Sequence, residues 1–542
     1  MTEILRILIS KPIVFLEMIA LSVLANVFVL VTPIFVILVL NRYVSSGVDG
    51  TLISLSVGAL LAVFFEFLFR RLRYRFADRL TADRFIEQDK SIHRTLAGAN
   101  YLPILTSNPT TLRSYFGMAE TYRNVYSPQN LCLFLDVPFS LVFIFVIYIL
   151  SPPLAVVVAL TIGCAFLIVY LSQFSLRRVI EDDRRIRNIR GQLIDTVINS
   201  PSTIRAFDTT STQGNEWSSA AEVRQGITSY VANRKDRIQA LVRSLTSVLT
   251  IAVVGLGATL VTDGQLQIGA LIGANILAAR ALLPIITLSQ QIENWAQAKT
   301  SKASLTALAR IPLVGTEGTG IKKPALKIEG RELSFTYPNS HTPILDRLDF
   351  SLEAGETLCI YGGNGAGKST LAKVLCNLLR PSAGTILVDG INLEQISPVW
   401  WFNNVIYLPQ EPSFINSSIR SNFLSFNPDL KANDIHALLD RVGLLALVDE
   451  NPEGLDQNIQ DGGRRLSLGV RRRLALARAL SRDGAVAILD EPTEGMDPEG
   501  SAAVYKVLNE LVEKNRTLIV FSHDRTIVRG AHKFLDLGGT AN

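Results

Sequence analysis

Six runs of apolar residues, near 12–40, 51–69, 131–150, 154–171, 245–261 and 268–288, constrain this chain more than any other feature. Each is close to the roughly 20 residues a helix needs to cross a bilayer, so the sequence predicts six membrane-spanning helices. They fall into three pairs, because the links Asn41–Gly50, Ser151-Pro152-Pro153 and Thr262–Gln267 are short and rich in turn formers. Long polar segments, roughly 70–128 and 173–240, separate the pairs. Nearly free of Pro and Gly for long stretches, they read as helices that continue out of the bilayer, within reach of a cytosolic domain. They also hold two basic clusters: Arg70, Arg71, Arg73, Arg75 and Arg79, then Arg177, Arg178, Arg184, Arg185, Arg187 and Arg190. The positive-inside bias puts these segments and both termini in the cytoplasm. A solvated helix face explains the same clusters, and the two readings are compatible.

The first run follows Arg6 and Lys11, but it is too long for a signal-peptide core and lacks a small-residue cleavage site, so a retained span is expected. An apolar content of 48% fits a membrane protein. Lys and Arg exceed Asp and Glu by only 53 to 48, with no long basic tail, which argues against nucleic acid as a partner. Cys132, Cys164, Cys359 and Cys376 have neither metal-ligand spacing nor the density of a disulfide scaffold, and are assigned no chemistry. Glu17, Glu66, Asp136 and Arg280 lie within or at the edges of apolar spans, where ionisable groups are expensive and usually face the bundle interior or water. A polar lining or an ion pair is expected of them, with snorkelling to the headgroups as the competing account, strongest for Glu17.

After residue 310, Ile311-Pro312-Leu313-Val314-Gly315-Thr316-Glu317-Gly318-Thr319-Gly320 reads as a flexible joint, and beyond it the composition is that of a soluble α/β domain. The expected organisation is a transmembrane domain at 1–310, a linker at 311–325 and a nucleotide-binding domain at 326–542. The strongest motif lies there. Gly362-Gly363-Asn364-Gly365-Ala366-Gly367-Lys368-Ser369-Thr370 is a full Walker A loop, preceded by strand-like Glu356–Ile360 and followed by a helical pattern. Its glycines let backbone N–H groups curl around phosphate, Lys368 neutralises the outer phosphates of ATP, and the Ser369 hydroxyl can hold Mg2+. About 120 residues on, Val486–Leu489 is a buried-strand run ending in Asp490 and Glu491. Asp490 would reach Mg2+ and Glu491 would polarise the attacking water.

These residues resemble the ATP-binding cassette transporters, with the cassette motifs in family order. On that resemblance Tyr337 stacks on adenine, Gln410 senses Mg2+ and meets the membrane domain, His523 contacts the terminal phosphate, and Asp497 belongs to the loop after the catalytic acid. The family signature Leu-Ser-Gly-Gly-Gln appears as Leu466-Ser467-Leu468-Gly469-Val470, followed by Arg471-Arg472-Arg473. Ser467 and Gly469 stay available to the phosphate bound by the opposite protomer, whereas Leu468 crowds that approach and Val470 loses a polar side chain. Glu494-Gly495-Met496-Asp497 also departs from the usual small-residue loop. These departures bear on turnover rate and on whether the pair is symmetric. Lys368, Asp490, Glu491 and His523 are kept, so hydrolysis is expected.

Six spans ahead of a fused cassette imply an exporter half-transporter paired with a second copy. Leu30-Val31-Thr32-Pro33-Ile34-Phe35, Asp136-Val137-Pro138-Phe139 and the stretch from Gly264 to Leu277 before Arg280 resemble the bacterial type I secretion ATPases. That resemblance implies an inner-membrane protein with a cytoplasmic cassette, exporting an unfolded polypeptide with a periplasmic adaptor and an outer-membrane channel. Some relatives carry an N-terminal peptidase domain or its inactive copy. This chain begins almost directly with its first span, so no leader trimming is expected. Two alternatives stay open: an exporter of lipid, drug or small peptide, and a membrane-anchored regulatory protein that binds ATP with little or no transport.

Overall fold

A backbone group left unpaired in hydrocarbon costs several kcal/mol, and all six apolar runs meet that demand as helices. The computed structural model describes residues 9, 11–44, 47–315, 317–321, 326–338 and 340–538, with the side chains of 173–181, 184, 292 and 293 set aside. Arg6, Thr316 and the side chains of Arg177, Arg178 and Arg184 lie outside the described residues. The chain divides into two compact units, Met1–Gly98 with Thr106–Ile311, and Ala99–Leu105 with Pro312–Asn542.

In the first unit, α1 (Pro12–Val29) and α2 (Val31–Leu38), extended by a π-helical turn at Val39–Tyr43, make the first crossing. The second is α3 (Asp49–Gly98). After α4 (Tyr101–Thr106) come α5 (Pro109–Val125), α6 (Pro128–Asp136) and α7 (Phe139–Leu150), which lead into and form the third crossing. The fourth begins α8 (Pro152–Asn199), the fifth ends α10 (Thr210–Thr262) after the short α9 (Pro201–Ala206), and the sixth is α11 (Ile268–Gln290), followed by α12 (Ile292–Leu308). Proline in the first turn of α5, α6, α8 and α9 starts each helix at no cost in hydrogen bonds. At 50 residues α3 is about 75 Å long, and the 53-residue α10 is longer still. Both far exceed a hydrocarbon core of about 30 Å, so they run well beyond it, as the sequence predicts.

Large apolar side chains on these helices, among them Leu60 (71% exposed) and Ile251 (73%), face outward as lipid requires. Inside, Val158, Leu249, Val253, Ala274 and Ala278 belong to one buried cluster. Gly269 and Gly273 let α11 press on α2: a Cβ at Gly269 would stand 2.8 Å from the Ile37 carbonyl oxygen, and one at Gly273 would stand 2.4 Å from Ile37 Cγ1. This is small-residue packing between spans, and Asn41 Oδ1 closes it by accepting from the Gly269 N–H at 3.1 Å.

Of the first basic cluster, Arg71, Arg75 and Arg79 are exposed, and Arg73 alone is buried. Arg73 is only 1% exposed. Both its terminal nitrogens donate to Asp136, with Nη2–Oδ2 at 3.0 Å, and Asn26 Nδ2 donates to the same carboxylate at 3.2 Å. One ion pair thus ties α1, α3 and α6 together. Glu66 pairs with Arg70 at 2.9 Å, one turn along α3, and Glu17 is exposed.

In the second unit, β1 (Ile328–Phe335), β2 (Leu345–Leu352), β4 (Ala383–Val388) and β5 (Ile391–Asn392) form an antiparallel sheet. A parallel sheet is built from β3 (Thr357–Tyr361), β6 (Val405–Leu408), β9 (Val486–Asp490), β10 (Thr517–Phe521) and β11 (Lys533–Asp536), in the order β11-β3-β10-β9-β6. Between them in sequence, β7 (Ser417–Ser418) pairs with β8 (Asn458–Ile459). The short segment Ala99–Leu105 belongs to this unit, although it interrupts the long helices of the other. The Asn100 N–H donates to the Pro312 carbonyl at 2.9 Å, and Tyr101 and Leu102 pack against the core of this unit.

Removing either partner of the Arg73–Asp136 pair leaves a buried charge uncompensated, a loss of about 3 kcal/mol or more. Arg73→Ala and Asp136→Ala are each expected to lower the thermal midpoint of the detergent-purified protein, and Arg73→Met with Asp136→Leu to regain much of the loss. Single variants as stable as the parent would show that the pair does not hold the spans.

Candidate functional site

The parallel sheet sets the site, because its register aligns the carboxyl ends of β3, β10 and β9, with Ile360 opposite Phe521 and Phe521 opposite Asp490. Ligands in open α/β sheets bind beyond such strand ends. The Walker A loop leaves β3 there. It turns through Gly365 at φ 84° and Gly367 at φ 94°, where a Cβ on Gly367 would meet the Ile344 carbonyl oxygen at 2.9 Å. The loop feeds α13 (Lys368–Leu375), whose free amino end points its N–H groups into the loop.

Lys368, Glu491 and His523 come together from three different segments. Lys368 Nζ donates to the Gly362 carbonyl at 2.7 Å, stands 2.7 Å from His523 Nε2 and lies 3.7 Å from Glu491. His523 Nε2 is 3.8 Å from the same carboxylate. Glu491 sits in the left-handed region, φ 46°, held by its N–H donating to the Phe521 carbonyl at 2.8 Å, and such strain persists only where the surroundings fix it. Burial raises its carboxyl above the ordinary range, against the pull of Lys368.

Asp490 is 2% exposed, and burial raises it as well. Its Oδ1 is buried without a hydrogen-bond partner. Ser369 Oγ donates to Gln410 Oε1 at 3.1 Å. An orphaned carboxylate oxygen, a hydroxyl and an amide oxygen are hard-oxygen donors of the kind that hold Mg2+ beside nucleotide phosphates. No cluster of three His, Cys, Asp or Glu side chains suited to a metal occurs among the described residues. Tyr337 reaches Thr370, with the two hydroxyls 3.3 Å apart. Gly363, Asn364 and Ala366 complete the loop around Gly362–Thr370.

Ser467 and Gly469 belong instead to the amino end of α14 (Leu468–Leu480), where Ser467 Oγ caps the helix by accepting from the Val470 N–H at 3.3 Å. Asp497 caps α15 (Pro498–Glu513), its Oδ1 accepting from the Gly500 N–H at 2.7 Å. The two sequence departures meet here. A Cβ on Gly495, φ +70°, would stand 3.1 Å from Leu468 Cδ2, so the bulk added at Leu468 occupies room that glycine leaves at 495.

Two residues escaped sequence reasoning. Arg472 is 2% exposed; its Nε and Nη2 donate to the Gln410 carbonyl at 3.1 and 3.0 Å, and Nη2 also donates to Glu494 Oε2 at 2.8 Å. Glu494 in turn accepts from Gln410 Nε2 at 3.5 Å, and the hydrogen bond from Arg472 lowers its carboxyl. A run of three arginines ordinarily means a solvated face, and nothing in Arg471-Arg472-Arg473 marks the middle one as buried. The switch segment has its own tether: Asp524, next to His523, accepts from Tyr505 Oη and, at 2.9 Å, from Thr493 Oγ1.

Comparison with known proteins matches residues 15–286 to the family model described as "ABC transporter transmembrane region" and residues 345–494 to the one described as "ABC transporter". The chain is 28% identical over 532 residues to the leukotoxin export ATP-binding protein LtxB of Aggregatibacter actinomycetemcomitans, covering 96% of this chain and 74% of the relative. It is 29% identical over 535 residues to the alpha-hemolysin translocation ATP-binding protein HlyB of Escherichia coli, with the same two coverages. Among solved structures, a bacterial Atm1-family ABC exporter with ATP bound superposes with a TM-score of 0.84 at 18% identity, over 97% of this chain and 94% of the other.

Gly495→Ala is expected to cost about 1–2 kcal/mol, from its positive φ and the contact with Leu468, and Leu468→Gly in the same chain to relieve the steric part; thermal melts of the parent and these two variants test this. Because burial raises the folded carboxyl of Glu491 above its ordinary 4.5, the folded state holds more protons there than the unfolded state, and stability falls as pH rises through that window. Glu491→Gln removes the term, so its stability advantage over the parent should grow from pH 4.5 upward. A gap that is flat or shrinks with pH contradicts the burial effect.

Proposed function

The chain belongs to the ABC transporter family, as an exporter half with membrane region and cassette fused, and from this premise we propose that it drives export of an unfolded polypeptide across a bacterial inner membrane as the ATPase of a type I secretion machine. The observation that carries the motor assignment is the meeting of Lys368, Glu491 and His523 at aligned strand ends. The polypeptide cargo is supported by the relatives, which are named for export of leukotoxin and translocation of alpha-hemolysin. The working unit is a dimer of two such halves, with a periplasmic adaptor and an outer-membrane channel as further partners.

In the proposed cycle, the Walker A N–H groups and the amino end of α13 receive the phosphates of ATP, and Tyr337 receives the adenine. Lys368 exchanges the Gly362 carbonyl and His523 for the outer phosphates. That exchange frees His523 Nε2 to face the terminal phosphate and frees Glu491 to take the proton of the attacking water. A raised carboxyl suits a general base, since it binds that proton more firmly than an ordinary glutamate. Mg2+, held by Ser369, Gln410 and Asp490, would neutralise charge on the phosphate oxygens. Ser467 and Gly469, at the amino end of α14, would close on the nucleotide of the partner subunit, and Asp497 would keep the adjoining loop in register. The fit of Leu468 against Gly495 supports a working signature over a purely regulatory ATP-binding role.

The test is ATP hydrolysis by the lipid-reconstituted protein with and without Mg2+. The parent should turn over only with the metal. Glu491→Gln should bind ATP yet lose at least about a hundredfold in rate, in the range general-base removal gives, and Lys368→Ala should lose binding. Parental rates in Glu491→Gln would remove Glu491 from the mechanism, and an inactive parent that binds ATP would favour a regulatory protein.

A further inference from the structure

We propose that the membrane domain carries an anion site centred on Arg280 that binds carboxylates of the polypeptide as it crosses; this rests on the polypeptide-export reading and adds the chemistry the path selects. The site is a cavity of about 170 Å³ walled by α1, α3, α6, α7 and α11. Its polar lining includes Asn26, Arg70, Tyr74, Gln129, Asp136 and Arg280.

The charges around it do not cancel. Asp136 is engaged on both oxygens by the buried Arg73, and Arg70 is engaged by Glu66 at 2.9 Å. Arg280 makes no ion pair among the described residues, so the cavity carries one uncompensated guanidinium. A charge within a span is expensive and marks a pathway or a partner, and the half-buried Arg280 guanidinium attracts an anion more strongly than one in bulk water. The planar fork of arginine suits a carboxylate in particular. Tyr74 and Gln129 line the same space, and a phenol and an amide are groups that can donate further hydrogen bonds to an anion. The volume equals that of about five or six waters, enough for the end of a Glu or Asp side chain.

The depth of Arg280 within its span favours a crossing chain as the source of the anion. Arg280 lies near the middle of the 23-residue α11, Ile268–Gln290, and a rise of about 1.5 Å per residue puts it roughly 15 Å or more from either end. Lipid phosphates sit at the edges of the hydrocarbon core. A chain crossing the membrane passes that depth.

The experiment uses the full-length protein in phosphatidylcholine nanodiscs and two fluorescent peptides, identical except that one bears glutamates where the other bears glutamines. The glutamate peptide should bind at least about tenfold more tightly, a difference of about 1.4 kcal/mol. That ratio should collapse towards one in Arg280→Gln and survive in Arg280→Lys, with both variants hydrolysing ATP at the parental basal rate. Equal affinities for the parent, or a ratio unchanged in Arg280→Gln, overturn the site while leaving polypeptide export standing. If neither peptide binds, the polypeptide reading fails and takes the site with it. If phosphatidylglycerol in the nanodisc abolishes the discrimination, the anion is a lipid phosphate and the proposal is wrong.

Discussion

Hydrocarbon offers no hydrogen bonds and no counter-ions, and the membrane domain is organised by that lack. Every apolar run becomes a helix because a helix satisfies its own backbone, and a polar side chain among the runs is stabilised when it finds a partner inside the protein. The contact between Arg73 and Asp136 is the clearest result. It joins α1, α3 and α6 through two guanidinium nitrogens, one carboxylate and the amide of Asn26. Pairing of this kind holds spans in one arrangement where dispersion alone would tolerate several. Among the described residues, Arg70 and Arg73 are answered by Glu66 and Asp136, whereas Arg280 lines the cavity without an ion pair.

In the cassette, a single ammonium takes the corresponding part. Lys368 bridges Gly362 and His523 and faces Glu491, so the groups intended for phosphate and water hold one another across the strand ends. That mutual engagement brings together residues 155 positions apart in the chain. In the proposed cycle, phosphate would displace these contacts and release Glu491 and His523 together.

The region around the signature shows how departures from a family pattern can be absorbed. Leu468 is larger than the residue it replaces, and Gly495 provides the room. Glu494 takes the place of a small residue and, with Arg472, braces Gln410, which in turn contacts Ser369. A change at one end of this chain of contacts is therefore felt at the Ser369 hydroxyl at the other.

The sequence by itself determined the six spans, the order of the cassette motifs and the identities of Lys368, Asp490, Glu491 and His523. Apolar run length and Gly-rich loop spacing are local properties, written in consecutive residues. What it could not determine was which distant residues would meet. Nothing local distinguishes Arg73 from Arg71 or Arg75, or Arg472 from its two neighbours, and only packing shows that one arginine of each run is buried. The same holds for Ala99–Leu105, continuous in sequence with the long helices yet part of the cassette unit through Asn100, Tyr101 and Leu102. Burial and pairing are properties of the folded neighbourhood, and for these residues the tertiary structure alone decided them.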